Sequence, residues 1–101
     1  MKIDFNQVYL GLDRKTPMKE DGKELTLKDV AIGALLMPNQ QDDFKKKMEK
    51  YKLYEKIMDC KTINVDLISE EVVLIKNVIG EIQPPIIVGQ TVKMLGEDGA
   101  K

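Results

Sequence analysis

Three pairs of neighbouring carboxylates, Asp42-Asp43, Glu70-Glu71 and Glu97-Asp98, are the residues best placed for chemistry in this sequence. Paired carboxylates can hold a hard cation or share the work of general acid and base. The first two pairs, however, stand where helices are expected to begin, and the helix dipole favours negative charge there without any chemistry. Glu97-Asp98 belongs to a terminal "GEDGAK", whose glycines and lysine are followed by no helix to hold a phosphate. The spacing of a calcium-binding EF-hand loop is missing. The carboxylates are therefore read as solvated charges. No catalytic, cofactor-binding or metal-ligating residue is assigned, and no cofactor is expected.

The chain has no His and one Cys, Cys60. That combination excludes zinc sites of the Cys/His kind and His-dependent nucleophilic arrangements. It also excludes an internal disulfide. Cys60 is expected at a helix C-terminus, where the partial negative charge works against a thiolate, so it reads as incidental. The seven glycines never fall into a GxGxxG or P-loop pattern. An enzyme would have to be built on carboxylates alone, and the expectation is that the protein is not one.

The lysine run "KKKMEKYK" raises nucleic acid as a partner, with Lys45, Lys46, Lys47, Lys50 and Lys52 as candidate phosphate contacts. The plainer reading is a solvated helix face whose lysines are offset by Glu49 and Glu55. Sixteen Lys and Arg against 17 Asp and Glu give a net charge of −1, which is no basic footprint. Three Tyr, two Phe and no Trp make a poor stacking platform for single strands. "LTLKDVAIGALL" could open a helix-turn-helix with Pro38-Asn39-Gln40-Gln41 as its turn. The helix that follows lacks the short polar side chains suited to base edges.

The 101 residues are 43% hydrophobic and 33% charged, a globular mixture of single-domain size. One domain over 1–101 is expected, with residues 97–101 as a frayed tail. "MKIDFNQVYL" carries an acid and no apolar stretch of signal-peptide length. No segment approaches the ~18 apolar residues of a membrane span. The expected setting is cytoplasmic, with no membrane partner.

Ile3 and Phe5 alternate with polar residues ahead of Val8, Tyr9, Leu10 and Leu12, which favours a strand over residues 3–12, though "FNQVYLGL" could also make a short helical turn. "DRKTP" and "EDGK" supply turns, so residues 3–25 read as a β-hairpin or small meander. Thr26 and Asp29 resemble a capping box. The first helix should bury Leu27, Val30, Ala31, Ala34 and Leu35, with Ile32, Leu36 and Met37 widening that face, and stop at Pro38. A second helix over 43–59 should turn Phe44, Met48, Tyr51, Tyr54, Ile57 and Met58 inward. Ile63 and Val65 suit a very short strand. Ser69 should cap a third helix over 70–79 that is apolar nearly all round and stops at Gly80. Pro85 should open a fourth helix whose stripe is Ile87, Val88, Thr91, Val92 and Leu95, ending at Gly96.

The order of these segments resembles a group of small proteins of tailed bacteriophages and prophages. The resemblance rests on "KIDFNQVYLGLD", "EDGKELTLKDVAIGALL", "YKLYEKI", "VDLISEEVVLIKNVIG" and "PPIIVGQTVKML". It implies a phage or prophage origin and a host-cytoplasm setting, and it carries over no site residues. The expected fold is α+β, a small N-terminal β element packed on three to four helices. The expected function is non-enzymatic protein binding, as an assembly factor or an inhibitor of a host system. The rival is a nucleic-acid-binding accessory protein using the lysine face of helix 43–59. A homo-oligomer or obligate partner is expected to cover the third or fourth helix, with Val73, Val78, Val88 and Val92 as the candidate interface.

Overall fold

The computed structural model describes residues 2–62 and 64–96. Its elements run β1 (Lys2–Asp4), β2 (Lys19–Glu20), β3 (Lys23–Glu24), α1 (Leu27–Leu36), α2 (Phe44–Asp59), β4 (Asn64–Asp66), α3 (Ser69–Ile82) and α4 (Pro85–Leu95). The fold is α+β: four helices carrying two small antiparallel ribbons. Ile63, expected in the short second-junction strand, lies outside the described residues, as do Glu97-Asp98 and the rest of the tail.

The N-terminal segment is not one strand over residues 3–12. Asp4 ends β1 by turning back on the chain, its carboxylate accepting the Asn6 amide at 2.7 Å. β1 then pairs with β4, in the register Lys2↔Asp66, Ile3↔Val65 and Asp4↔Asn64. Residues 8–10 resume as isolated bridges, Val8 to Thr26 and Leu10 to Pro17. The expected hairpin is present but confined to β2 and β3. Its two-residue turn places Asp21 at φ 52° and Gly22 at φ 81°, the doubly left-handed geometry that matches strand twist.

Thr26 caps α1. Its hydroxyl accepts the Asp29 amide at 3.3 Å, and the Asp29 carboxylate answers the Thr26 amide at 3.4 Å. Leu27, Val30, Ala31, Ala34 and Leu35 are buried as the periodicity requires. Leu36 and Met37 are exposed instead of widening that face. Leu36 follows Leu27 by nine residues, roughly half a turn out of phase at about 100° per residue. Helix α1 packs against both α2 and α3, and α3 packs against α4.

Helix α3 differs from expectation at both ends. Ser69 is its first helical residue, and Ile68 occupies the capping position. With no side-chain acceptor at Ile68, Glu71 supplies half of a capping box by accepting the Ile68 amide at 2.9 Å. The helix runs through Gly80 to Ile82, and Gln83, held extended ahead of Pro84, is the stop. Val72, Ile75, Val78 and Ile79 form its buried face. Val73 and Ile82 are exposed, so α3 is not buried all round. Pro85 opens α4 and Gly96, at φ 93°, ends it.

One polar bond ties the N-terminal segment to α4 within the core. The Tyr9 hydroxyl lies 2.6 Å from Thr91 Oγ1, and Thr91 donates its own proton to the Ile87 carbonyl at 2.8 Å. Tyr9 is therefore the donor. Burial raises the Tyr9 phenol above its ordinary value of 10.0. The unfolded chain ionises near pH 10 while the folded chain keeps its proton. This contribution is thus complete below about pH 10 and lost as pH rises through the folded value. Tyr9→Phe is expected to cost about 1 kcal/mol near neutrality and to flatten the alkaline loss. Urea midpoints measured on both sides of the tyrosine range would check this. A Phe variant as alkali-sensitive as the wild type would place that loss elsewhere.

Candidate functional site

The phase of α2 is the main departure from expectation. Its buried residues are Lys50, Leu53 and Ile57, with Tyr54 half-buried beside them. Lys50 can occupy this inner face because Asp42, just before the helix, pairs with its ammonium. Asp42 is therefore not a solvated charge. Its neighbour Asp43 caps the helix by accepting the Lys46 amide at 2.8 Å.

Of the six residues expected inside, Ile57 is buried and Tyr54 half-buried, but the other four consequently face out. Phe44 is 80% exposed, Met48 36%, Tyr51 48% and Met58 44%. At about 100° per residue these four side chains occupy a wedge roughly 80° wide. Glu55 falls in the middle of the same wedge, and Lys47 borders it. Tyr51 packs against Tyr54 with ring centroids 5.7 Å apart, which fixes the middle of the surface. The apolar surface continues onto the end of α1, where Leu36, Met37 and Pro38 share a hollow of about 220 Å³ with Lys47 and Tyr51. Among the described residues, neither Lys47 nor Glu55 makes an ion pair.

A second, larger hollow of about 660 Å³ lies between the 8–14 segment and α4, with Leu10, Leu12, Ile86 and Met94 among its apolar walls and Arg14 and Lys93 as its charges. Gln90 holds its inner wall together. The Gln90 side chain accepts the Leu10 amide and donates to the Leu10 carbonyl, each at 2.8 Å. Its outer wall is a turn in which the Asp13 carboxylate accepts the Thr16 hydroxyl and amide at 2.5 and 2.9 Å and the Lys15 amide at 3.0 Å. The Thr16 hydroxyl, then the Thr16 and Lys15 amides, lower the Asp13 carboxyl to about 2. These groups knit the turn to itself, and none of them points to a ligand. The α2 surface is the better candidate because one regular helix presents four large apolar side chains together.

The remaining candidates separate as follows. Lys45, Lys46, Lys47 and Lys52 are exposed, whereas Lys50 is buried on Asp42 and unavailable to a phosphate. Lys45, Lys46 and Lys47 are successive residues and so point about 100° apart. Of the four valines, Val73 is exposed, Val88 and Val92 are half-buried, and Val78 lies in the core. Glu71 binds Lys56 at 2.7 Å and joins α3 to α2. Cys60 caps the C-terminal end of α2. The Thr62 amide, and then its hydroxyl, lower the thiol below its ordinary value, contrary to the expected effect of the helix end. The Asn64 carbonyl accepts the thiol proton at 3.4 Å and works the opposite way.

Among the described residues, no cluster of three or more His, Cys, Asp or Glu side chains could hold a metal ion, and no helix is long and apolar enough to cross a membrane. The outer α2 face was missed because its side chains are the larger hydrophobes. The signal that could have revealed it is the spacing of Phe44, Tyr51 and Met58, seven residues apart, beside an aspartate positioned to bury a lysine. No family model, no curated protein and no solved structure matches the chain.

Proposed function

We propose that this chain is a non-enzymatic binding protein and that the outer face of α2 is the surface it binds with. The observation that carries this reading is the exposure of Phe44, Met48, Tyr51 and Met58 on one wedge of one helix. Scattered surface hydrophobes are ordinary, but a contiguous group rimmed by charge is typical of an interface. Aromatic residues and Met are also the types enriched at such surfaces. Fully burying a Phe or Met side chain is worth about 1.5–3 kcal/mol, so a partner covering several of them gains substantially. The setting proposed with it, a phage or prophage protein acting in a host cytoplasm as an assembly factor or host inhibitor, rests on the sequence resemblance alone. The dispersed lysines of α2 give no comparable support to nucleic acid.

Photo-crosslinking tests the reading. A benzophenone amino acid is placed in the full chain at Phe44 or Tyr51, or at Glu20 in the exposed hairpin as a control. Irradiation in bacterial cells is expected to give discrete protein adducts from the two α2 positions and none from the hairpin. Adding Met48→Glu should abolish them. Equal labelling at all three positions, or none on α2, would remove the basis for the proposal.

A further inference from the structure

Resting on that reading, we infer that the α2 face takes a second copy of this chain, packed antiparallel about a two-fold axis at Tyr51. The outer face is complementary to its own reverse. Phe44 and Met58 lie seven residues to either side of Tyr51, Lys47 and Glu55 four, and Met48 and Tyr54 three. In an antiparallel pair centred on Tyr51, Phe44 therefore meets the second copy's Met58, and Lys47 meets the second copy's Glu55. The symmetry makes each contact occur twice. Tyr51 meets its own equivalent at the centre, braced by the Tyr54 ring.

Charge selects this partner and this direction. Lys47 and Glu55 are exposed and have no ion-pair partner in their own chain among the described residues. A parallel pair in register would set Lys47 against Lys47 and Glu55 against Glu55, whereas the antiparallel pair matches opposite charges at both ends. Glu55 sits among the apolar side chains, where a lipid surface would disfavour it and where the second copy supplies a lysine. The seven-residue spacing of Phe44, Tyr51 and Met58 keeps the seam facing a neighbour that crosses at about 20°. From Phe44 to Met58 the seam is about 21 Å long.

The test is sedimentation velocity on the full chain at low ionic strength, where exposed charges act most strongly. The wild type is expected to sediment at twice the 11.5 kDa chain mass. Lys47→Glu and Glu55→Lys are each expected to weaken association by at least about tenfold, since like charges then oppose each other at both ends of the pair. Mixing the two variants should restore the dimer, because each then offers the charge that the other lacks. Both positions are exposed, and circular dichroism should show unchanged helix content. A wild type that stays at single-chain mass overturns the inference. So does a mixture that remains monomeric, and so does a dimer indifferent to both reversals. A monomeric wild type whose Phe44 and Tyr51 positions still crosslink to another protein would sink the second copy while leaving the binding reading in place. A monomer with no adduct would sink both.

Discussion

Ile75→Ala is expected to lower the free energy of unfolding by about 2–5 kcal/mol, the range for truncating a fully buried aliphatic residue. Ile75 has no solvent exposure and lies on the inner face of α3, the helix packed against both α1 and α4. The truncation removes three side-chain carbons from a position that neighbours on two sides hold open. Small domains have only about 5–15 kcal/mol of net stability, so the variant should lose a large fraction of it. Two residues away, Val73 is exposed, and Val73→Ala should change stability by no more than about 0.5 kcal/mol. The pair of substitutions thus reads the phase of α3 directly. Urea midpoints at unchanged slope would measure both. A cost below about 1 kcal/mol at Ile75 would mean that the cavity collapses or that the helix is turned differently.

Asp42→Asn is the second large effect, expected at about 3 kcal/mol. The substitution preserves shape but strands the Lys50 ammonium, which is buried on the inner face of α2. The penalty reflects the unpaired charge more than the worth of the pair itself. Replacing both partners with apolar residues, as Asp42→Leu with Lys50→Met, should therefore recover most of what the single change loses. The decisive quantity is the difference in urea midpoint between the single and double variants. A single variant as stable as the wild type would show that Lys50 reaches water without its partner.

These two sites also mark how far the sequence could be read. Helix α1 was legible because Thr26, Asp29 and Pro38 punctuate it and its small and large apolar residues share one period. Helix α4 was legible from Pro85 and Gly96, and the hairpin turn from Asp21-Gly22. Each of these signals is local. Helix α2 was misread because hydrophobicity alone favours Phe44, Met48 and Tyr51 over a face containing Lys50. Only the pairing with Asp42, outside the helix, makes that lysine a core residue. The β1–β4 ribbon was missed because two three-residue strands about sixty positions apart leave no mark on each other's sequence. Gly80 was read as a stop because glycine usually follows a helix, yet Pro84 sets the end here. The candidate surface was visible as a set of residues and invisible as a surface, because its sidedness depends on that lysine–aspartate pair.

The clasp between Leu10 and Gln90, with the nearby bond from Tyr9 to Thr91, has a consequence for how the protein comes into being. The backbone groups of Leu10 find these partners 80 residues later in the chain. On a ribosome adding about 5–20 residues per second, the N-terminal segment waits roughly 4–16 s before its partners exist. Helices α1 and α2 can form in that interval, but α1 stays open on the side that α3 will close, and α3 in turn packs on α4. Closure is thus a late event between segments 80 residues apart, and such distant pairings slow folding. Until then the segment is held only by its nearer partners, such as the Leu25 carbonyl that accepts the Tyr9 amide, while the Tyr9 hydroxyl and the Leu10 backbone wait for Thr91 and Gln90.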